Sequence, residues 1–165
     1  MLFRGSRDGW SAKIIHSKID GQGPTITIIK TRKGKIFGGF ASVSREFPFP
    51  YTVSGWRVEI KLKSCTGTPA DVNAFLFSVD MGIKNPVNLS SSKKPIVCNP
   101  CTGPYFGENN VFHVPANANT DTSSSFYVDE TYKDLPKAAN GNCLYIDGDS
   151  NFQISEVEVY KVIPN

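Results

Sequence analysis

Apolar and polar positions along this 165-residue chain follow two periods, and most follow that of a strand. Trp10, Ile14, Ile15 and Ile19 fall at helical spacing and make one apolar stripe, which predicts a short helix. Asp8 stands just ahead of it, where a carboxylate can accept the orphan N–H groups of a first turn, so Asp8 is the expected N-cap. Gly21, Gly23 and Pro24 end the helix. Leu2-Phe3-Arg4 reads as a short strand before it. Residues 25–29 and 35–40 are β-rich and flank Thr31-Arg32-Lys33-Gly34, which predicts a hairpin with a basic turn. Residues 56–62 alternate, with Trp56, Val58, Ile60 and Leu62 on one face and Arg57, Glu59 and Lys61 on the other, as a half-buried strand does. Residues 74–79 are continuously apolar and read as a central strand. Residues 111–114 and 126–128 predict short strands, and 152–163 a long closing one. Residues 44–51, with Pro48 and Pro50, together with 85–94 and 116–125, read as loops. Residues 100–107 read as turn-rich and 131–142 as irregular.

Many strands and one convincing helix predict a mainly β fold, a two-layer antiparallel β-sandwich with one or two small peripheral helices. There is no internal repeat, and the length fits a single domain over 1–165. The closing strand carries a conflict of parity. Phe152 and Ile154 lie on one face of a regular strand, while Val157, Val159 and Ile163 lie on the other. Either a bulge near Ser155-Glu156 resets the faces, or the strand is buried on both sides and Glu156 and Glu158 must find partners. Arg4 and Arg7 are the natural partners, since the chain ends of a sandwich often lie close together.

Composition adds bounds. The 14 Gly, 11 Pro and 11 Phe fit β structure with many turns. A net charge of +3 modestly favours acidic partners, and no nucleic-acid-binding motif accompanies it. No apolar run approaches the roughly 18 residues of a membrane span. Arg4, Arg7 and Asp8 interrupt any leader pattern at once, so the expected location is cytoplasmic, with the four cysteines mostly reduced.

Candidate chemistry is sparse. Cys98-Asn99-Pro100-Cys101 has the spacing of a metal knuckle or a redox dithiol. Cys65 and Cys143 stand alone, His16 and His113 are distant in sequence, and Cys98 opens no helix that would lower its pKa, so no metal and no cofactor is expected. Asp147-Gly148-Asp149-Ser150-Asn151 with Glu158 imitates a calcium loop, but Phe152 stands where such a loop needs glycine. A hydrogen-bonded turn is the better reading. Glu156 and Glu158 share a strand face about 6.6 Å apart from the strand rise. That spacing could serve acid–base catalysis, against which an ion pair with Arg4 or Arg7 is favoured. Lys30, Arg32, Lys33 and Lys35 form a basic hairpin tip, either a solvated turn or a docking point for an acidic partner. Lys33-Gly34-Lys35 lacks the context of a phosphate loop. Asn88-Leu89-Ser90 is a glycosylation triplet that carries no meaning in the cytoplasm.

Five segments in order resemble the TLDc domain family. Gly5-Ser6-Arg7-Asp8-Gly9, after Phe3-Arg4, is similar to the family's signature ahead of its first helix. Lys35-Ile36-Phe37-Gly38-Gly39-Phe40 resembles its phenylalanine-glycine strand, and Ala74-Phe75-Leu76-Phe77-Ser78-Val79 its phenylalanine-leucine-phenylalanine strand. Gly103-Pro104-Tyr105-Phe106-Gly107 resembles its glycine-rich turn. Phe152-Gln153-Ile154-Ser155-Glu156-Val157-Glu158-Val159-Tyr160 is similar to its closing strand. The chain starts almost at the signature, without the segment that usually precedes it in the family. Its second half departs further, with fewer of the usual glycines and an insertion at residues 94–101.

The resemblance implies a two-sheet sandwich with no established catalytic residues. It implies a link to oxidative stress resistance and an interaction with the peripheral sector of the vacuolar proton-pumping ATPase. Gly5, Ser6, Arg7, Asp8, Gly9, Gly38, Gly103, Gly107, Glu156 and Glu158 are then structural signature residues, and Arg32, Lys33, Lys35 and Asp8 candidate partner contacts. The function expected is a non-enzymatic interaction module, an accessory or regulatory subunit of a cytoplasmic assembly. The alternatives are a structural subunit of another assembly and a thiol-dependent antioxidant enzyme.

Overall fold

A computed structural model describes residues 1–43, 71–122, 124–149 and 151–163. The predicted loop at 44–51 and the predicted strand at 56–62 lie outside the described residues. The chain begins with β1 (Phe3–Arg4), a one-turn helix α1 (Gly5–Asp8) and α2 (Ala12–Ile19). The hairpin β2 (Thr25–Thr31) and β3 (Ile36–Ala41) follows, then β4 (Phe75–Ser78) and β5 (Ile83–Pro86). Next come β6 (Ile96–Val97), β7 (Thr102–Phe106) and β8 (Phe112–Pro115), a short 3-10 turn at Leu144–Ile146, and β9 (Ile154–Lys161). Among the described residues these strands form a six-stranded sheet, in the order β1-β9-β2-β3-β4-β5, and a three-stranded sheet, β6-β7-β8. Every pairing is antiparallel. The predicted mainly β, two-sheet fold is what the chain adopts.

The core lies between the sheets. β2 turns Thr25, Thr27, Ile29 and Thr31 inward and Ile26, Ile28 and Lys30 outward, the period-2 pattern of a strand with one covered face. The Phe37 ring of β3 meets Phe112 of β8 at 5.5 Å, Phe126 at 5.4 Å and Phe152 at 5.6 Å between centroids, all edge-on. Gly39 lets the sheets approach there, since a Cβ would stand 2.5 Å from the Phe106 ring. α2 closes one side through Ile15 and Ile19, both buried.

The parity conflict resolves as a bulge. Lys30 pairs with Glu156 and Thr31 with Ile154, so Ser155 is the extra residue. Its hydroxyl lies 3.0 Å from Lys30 O and 3.1 Å from Thr31 O, which ties the bulged backbone to β2. Ile154 on one side of the bulge, and Val157 and Val159 on the other, therefore all face the core.

Several elements differ from expectation. Ser11, not Asp8, caps α2, its Oγ accepting from Ile14 N at 3.3 Å, because a one-turn helix intervenes and ends on Asp8. β4 is flanked by β3 and β5, one place from the sheet edge, and only Leu76 and Ser78 of it are buried. Residues 102–106 form a strand despite Gly103 and Pro104. The β7–β8 ladder skips register there, as a residue without an N–H requires. Residues 126–128 form no strand: Phe126 makes one bridge to Phe112 while Tyr127 is exposed. Asn85 and Pro86, assigned to a loop, complete β5. Phe152 lies before β9 and bridges Ser124.

Candidate functional site

The signature at the N-terminus builds a clasp on β9. Pairing of Phe3 with Val159 and Arg4 with Glu158 sets the chain ends side by side. α1 then carries Ser6 over the Glu156 carboxylate. That carboxylate accepts from Ser6 N at 3.0 Å, from Arg4 Nε at 3.0 Å and from the Ser6 hydroxyl. Burial pushes the Glu156 pKa up, but the Ser6 and Arg4 hydrogen bonds outweigh it, and the net shift is downward. Glu158 Oε1 lies 3.5 Å from the same Arg4 Nε, and its other oxygen accepts from Tyr160 Oη at 2.8 Å. Arg4 is thus the partner that the strand required. Arg7 instead makes two bonds to its neighbour Asp8, at 2.9 and 2.7 Å. Asp8 also accepts from Arg4 N at 2.9 Å and pairs with Lys18 at 3.3 Å. Arg7, then burial working against it, then the Arg4 N–H and Lys18 leave the Asp8 carboxyl well below the usual range.

Gly5 is needed because the Trp10 ring lies 2.6 Å from where its Cβ would be. Gly9 closes the turn at φ +102°. Of the other signature glycines, Gly38 faces the Phe77 ring, Gly103 packs under Ile15 and Val114, and Gly107, at φ +78°, sits against Val111. A carboxylate held ionised by several donors is a poor general acid near neutral pH. The geometry of this end is that of a fastening.

A second constellation occupies the end of the sandwich that carries the β2–β3 turn. Lys33 Nζ meets Asp149 at 2.6 Å and Lys35 Nζ meets Asp147 at 2.7 Å. The imitated calcium loop is therefore a turn whose acids face lysines, while its twelfth position, Glu158, pairs with Arg4. Arg32 N donates to Gln153 O at 2.9 Å, and its guanidinium reaches Asn119 O at 3.5 Å. A cleft of about 260 Å³ opens between Arg32, Lys33, Thr122 and Gln153, with Phe152 among its lining.

Sequence spacing misjudged the cysteines. Cys98 is disulfide-bonded while Cys101 is a free, exposed thiol, so the two are not joined as a dithiol, and Cys98 departs from the expected reduced state. Spatial proximity of side chains, not spacing, decides such pairing. Cys143 is a buried thiol whose pKa burial pushes up to about 12. Among the described residues no group of three or more His, Cys, Asp or Glu side chains could hold a metal ion.

His16 was passed over as distant from any ligand set. It is buried, with Nδ1 3.0 Å from Asp20 Oδ1 and Nε2 3.0 Å from Asn99 O and 2.8 Å from Thr102 O. Only acceptors face the two nitrogens in these contacts, which is the environment of an imidazolium. Burial opposes the charge, but Asp20 and the two carbonyls outweigh it and raise the pKa. The i,i+4 spacing of His16 and Asp20 was the signal available in the sequence; the carbonyls, more than 80 residues on, gave none. Asp71 was also missed. It is buried and accepts from Ser42 N at 2.7 Å, Val43 N at 3.3 Å and the Ser42 hydroxyl, which secures the exit from β3.

Residues 1–47 match the model of the TLDc domain. The match takes in the clasp-forming signature, both helices and the β2–β3 hairpin, which is the region where two of the five recognised motifs lie. The motifs at 74–79, 103–107 and 152–160 fall beyond the TLDc match. No curated protein matches the chain. No helix among the described residues is long and apolar enough to cross a membrane.

Proposed function

We propose that the chain is a non-enzymatic interaction module of the TLDc type, an accessory or regulatory subunit that docks on a large cytoplasmic assembly. The peripheral sector of the vacuolar proton-pumping ATPase is the partner its resemblance implies, with oxidative stress resistance as the physiological setting. The observation that carries this reading is the use made of the signature residues. Ser6 and Arg4 fasten the N-terminal segment to β9, and Gly5 and Asp8 hold the turn that carries them there; loops on such a scaffold are where binding usually lies. Affinity purification of the tagged chain from its native cells tests it. Peripheral-sector subunits in fixed stoichiometry are the expected result, and recovery of free monomer alone overturns the reading. Recovery of a different assembly would favour a structural subunit elsewhere, since fold does not name a partner.

One observation supports the thiol-dependent alternative. Cys101 is exposed and unoxidised three positions from a disulfide at Cys98. Peroxide consumption that disappears in both Cys98→Ser and Cys101→Ser would select that alternative.

A further inference from the structure

The end of the sandwich that carries the β2–β3 turn, just beyond the Lys30–Glu156 pair, gathers four loops from distant parts of the chain. Val79 N donates to Ile36 O at 2.9 Å and Asp80 Oδ2 accepts from Ile36 N at 2.6 Å, so the β4–β5 turn lies beside the β2–β3 turn. The Arg32 N–H to Gln153 O joins the approach to β9. Asn119 O accepts from Gln153 Nε2 at 2.8 Å, which brings in the loop before residue 122. We propose that this end is the docking surface for an acidic, partly apolar segment of a partner protein, whose carboxylates exchange with Asp149 and Asp147 on Lys33 and Lys35 and engage Arg32. This deepens the interaction-module reading and rests on it.

Three observations carry it. The cations already hold carboxylates near the surface, one member of each pair well exposed and the other about a third: Lys33 67% with Asp149 33%, and Asp147 51% with Lys35 30%. Exposed pairs of this kind contribute little, so a second carboxylate replaces the internal one at small cost. Arg32 is engaged differently. The described ion pairs of this end involve Lys33 and Lys35, and the side-chain hydrogen bond of Arg32 is the long one to Asn119 O. Its planar fork suits a bidentate carboxylate at the mouth of the 260 Å³ cleft. The adjoining β4–β5 turn exposes Val79 at 58% and Met81 at 41%, which gives apolar side chains of the same segment a place to pack. A polyphosphate backbone fits less well. It offers nothing apolar to Val79 or Met81.

The test uses the intact chain and a fluorescein-labelled peptide of glutamates interspersed with leucines, read by fluorescence anisotropy at low and physiological salt. Saturable binding that weakens with salt is expected. Arg32→Glu should weaken it about tenfold or more, as reversal of a contacting charge does. Asp149→Asn should tighten it about two- to fivefold, because it removes a weak internal competitor. Arg32→Lys, which keeps the charge and loses the fork, should fall between wild type and Arg32→Glu. Circular dichroism on each variant confirms folding. The inference is overturned by absence of saturable binding, by equal affinity of wild type and Arg32→Glu, by weaker binding in Asp149→Asn, or by an oligothymidylate that binds more tightly than the peptide. If Arg32→Glu still recovers the cellular assembly, this surface is wrong while the module reading stands. If wild type binds the peptide but recovers no assembly, the module reading falls by itself.

Discussion

Replacing Glu156 tests whether the two chain ends are fastened by that carboxylate or merely lie near it. Ser6 donates twice to it and Arg4 once. A hydrogen bond to a charged acceptor contributes roughly 1.5–3 kcal/mol when shielded. The Arg4 side chain is 46% exposed, so its bridge is worth roughly 0–1 kcal/mol. The Ser6 contacts therefore dominate, and Glu156→Ala should cost about 2–4 kcal/mol. For a chain of this size that lowers Tm by roughly 4–16 °C. Glu156→Gln keeps the shape and one acceptor, and should cost about half as much. Arg4→Met, which removes only the bridge, should cost under about 1 kcal/mol.

The pH dependence supplies an internal control. The folded pKa of Glu156 is depressed. Its contribution is therefore present above the unfolded carboxylate value and is lost as pH falls through the folded one. The gap between wild type and Glu156→Gln should close over that acidic window and stay constant at neutral pH. Urea denaturation across pH, with Tm by scanning fluorimetry, measures both. A cost below about 0.5 kcal/mol for Glu156→Ala, typical of a solvated surface residue, would refute the fastening. So would a wild-type-to-Gln gap that does not change with pH.

Three further outcomes are expected. His16 carries a raised pKa, so its contribution is complete below the unfolded histidine value and is lost as pH rises through the folded value; His16→Gln should destabilise most at mildly acidic pH, as urea midpoints across pH will show. Deleting Ser155 removes the extra residue and leaves Ile154 next to Glu156 in regular alternation, still facing the core opposite Thr31, so the loss is limited to the Ser155 hydroxyl contacts with β2: about 1 kcal/mol by chemical denaturation, with the near-UV circular dichroism of the native fold retained. The buried Thr27 hydroxyl finds no hydrogen-bond partner among the described residues, so Thr27→Val should raise stability by about 1 kcal/mol in chemical denaturation.

The elements legible in the sequence were those whose signal is local. The stripe of Trp10, Ile14, Ile15 and Ile19 marked α2, although Trp10 itself lies ahead of the Ser11 cap and outside the helix, and the β2–β3 hairpin announced itself by a glycine in a turn between two β-rich runs. The parity break at Ser155 was visible because strand periodicity is strict, but it allowed either a bulge or a strand buried on both sides, and only the pairing with β2 decided for the bulge. The elements that were misread had local signals that conflicted with their neighbours. Gly103 and Pro104 read as a turn, yet they lie in β7, where the register skip spares Pro104 the N–H it lacks. Asp8 read as the cap of α2, but α1 uses up the chain before it, and Ser11 takes the cap.

The site was less legible than the fold, because its partners are far apart in sequence. Arg4 as a partner for Glu156 could be named from the closeness of chain ends, but the Ser6 donors could not. The basic tip was plain in the sequence; that Asp147 and Asp149 rest on it, and that Val79 and Met81 adjoin it, was not. By itself the sequence determined a mainly β chain with its ends together, since side-chain period and turn chemistry act over a few residues. The tertiary structure alone decided which charges meet, which cysteine is oxidised and that the His16 pKa moves up. Those outcomes depend on distances and burial that exist only once two sheets close on a common core.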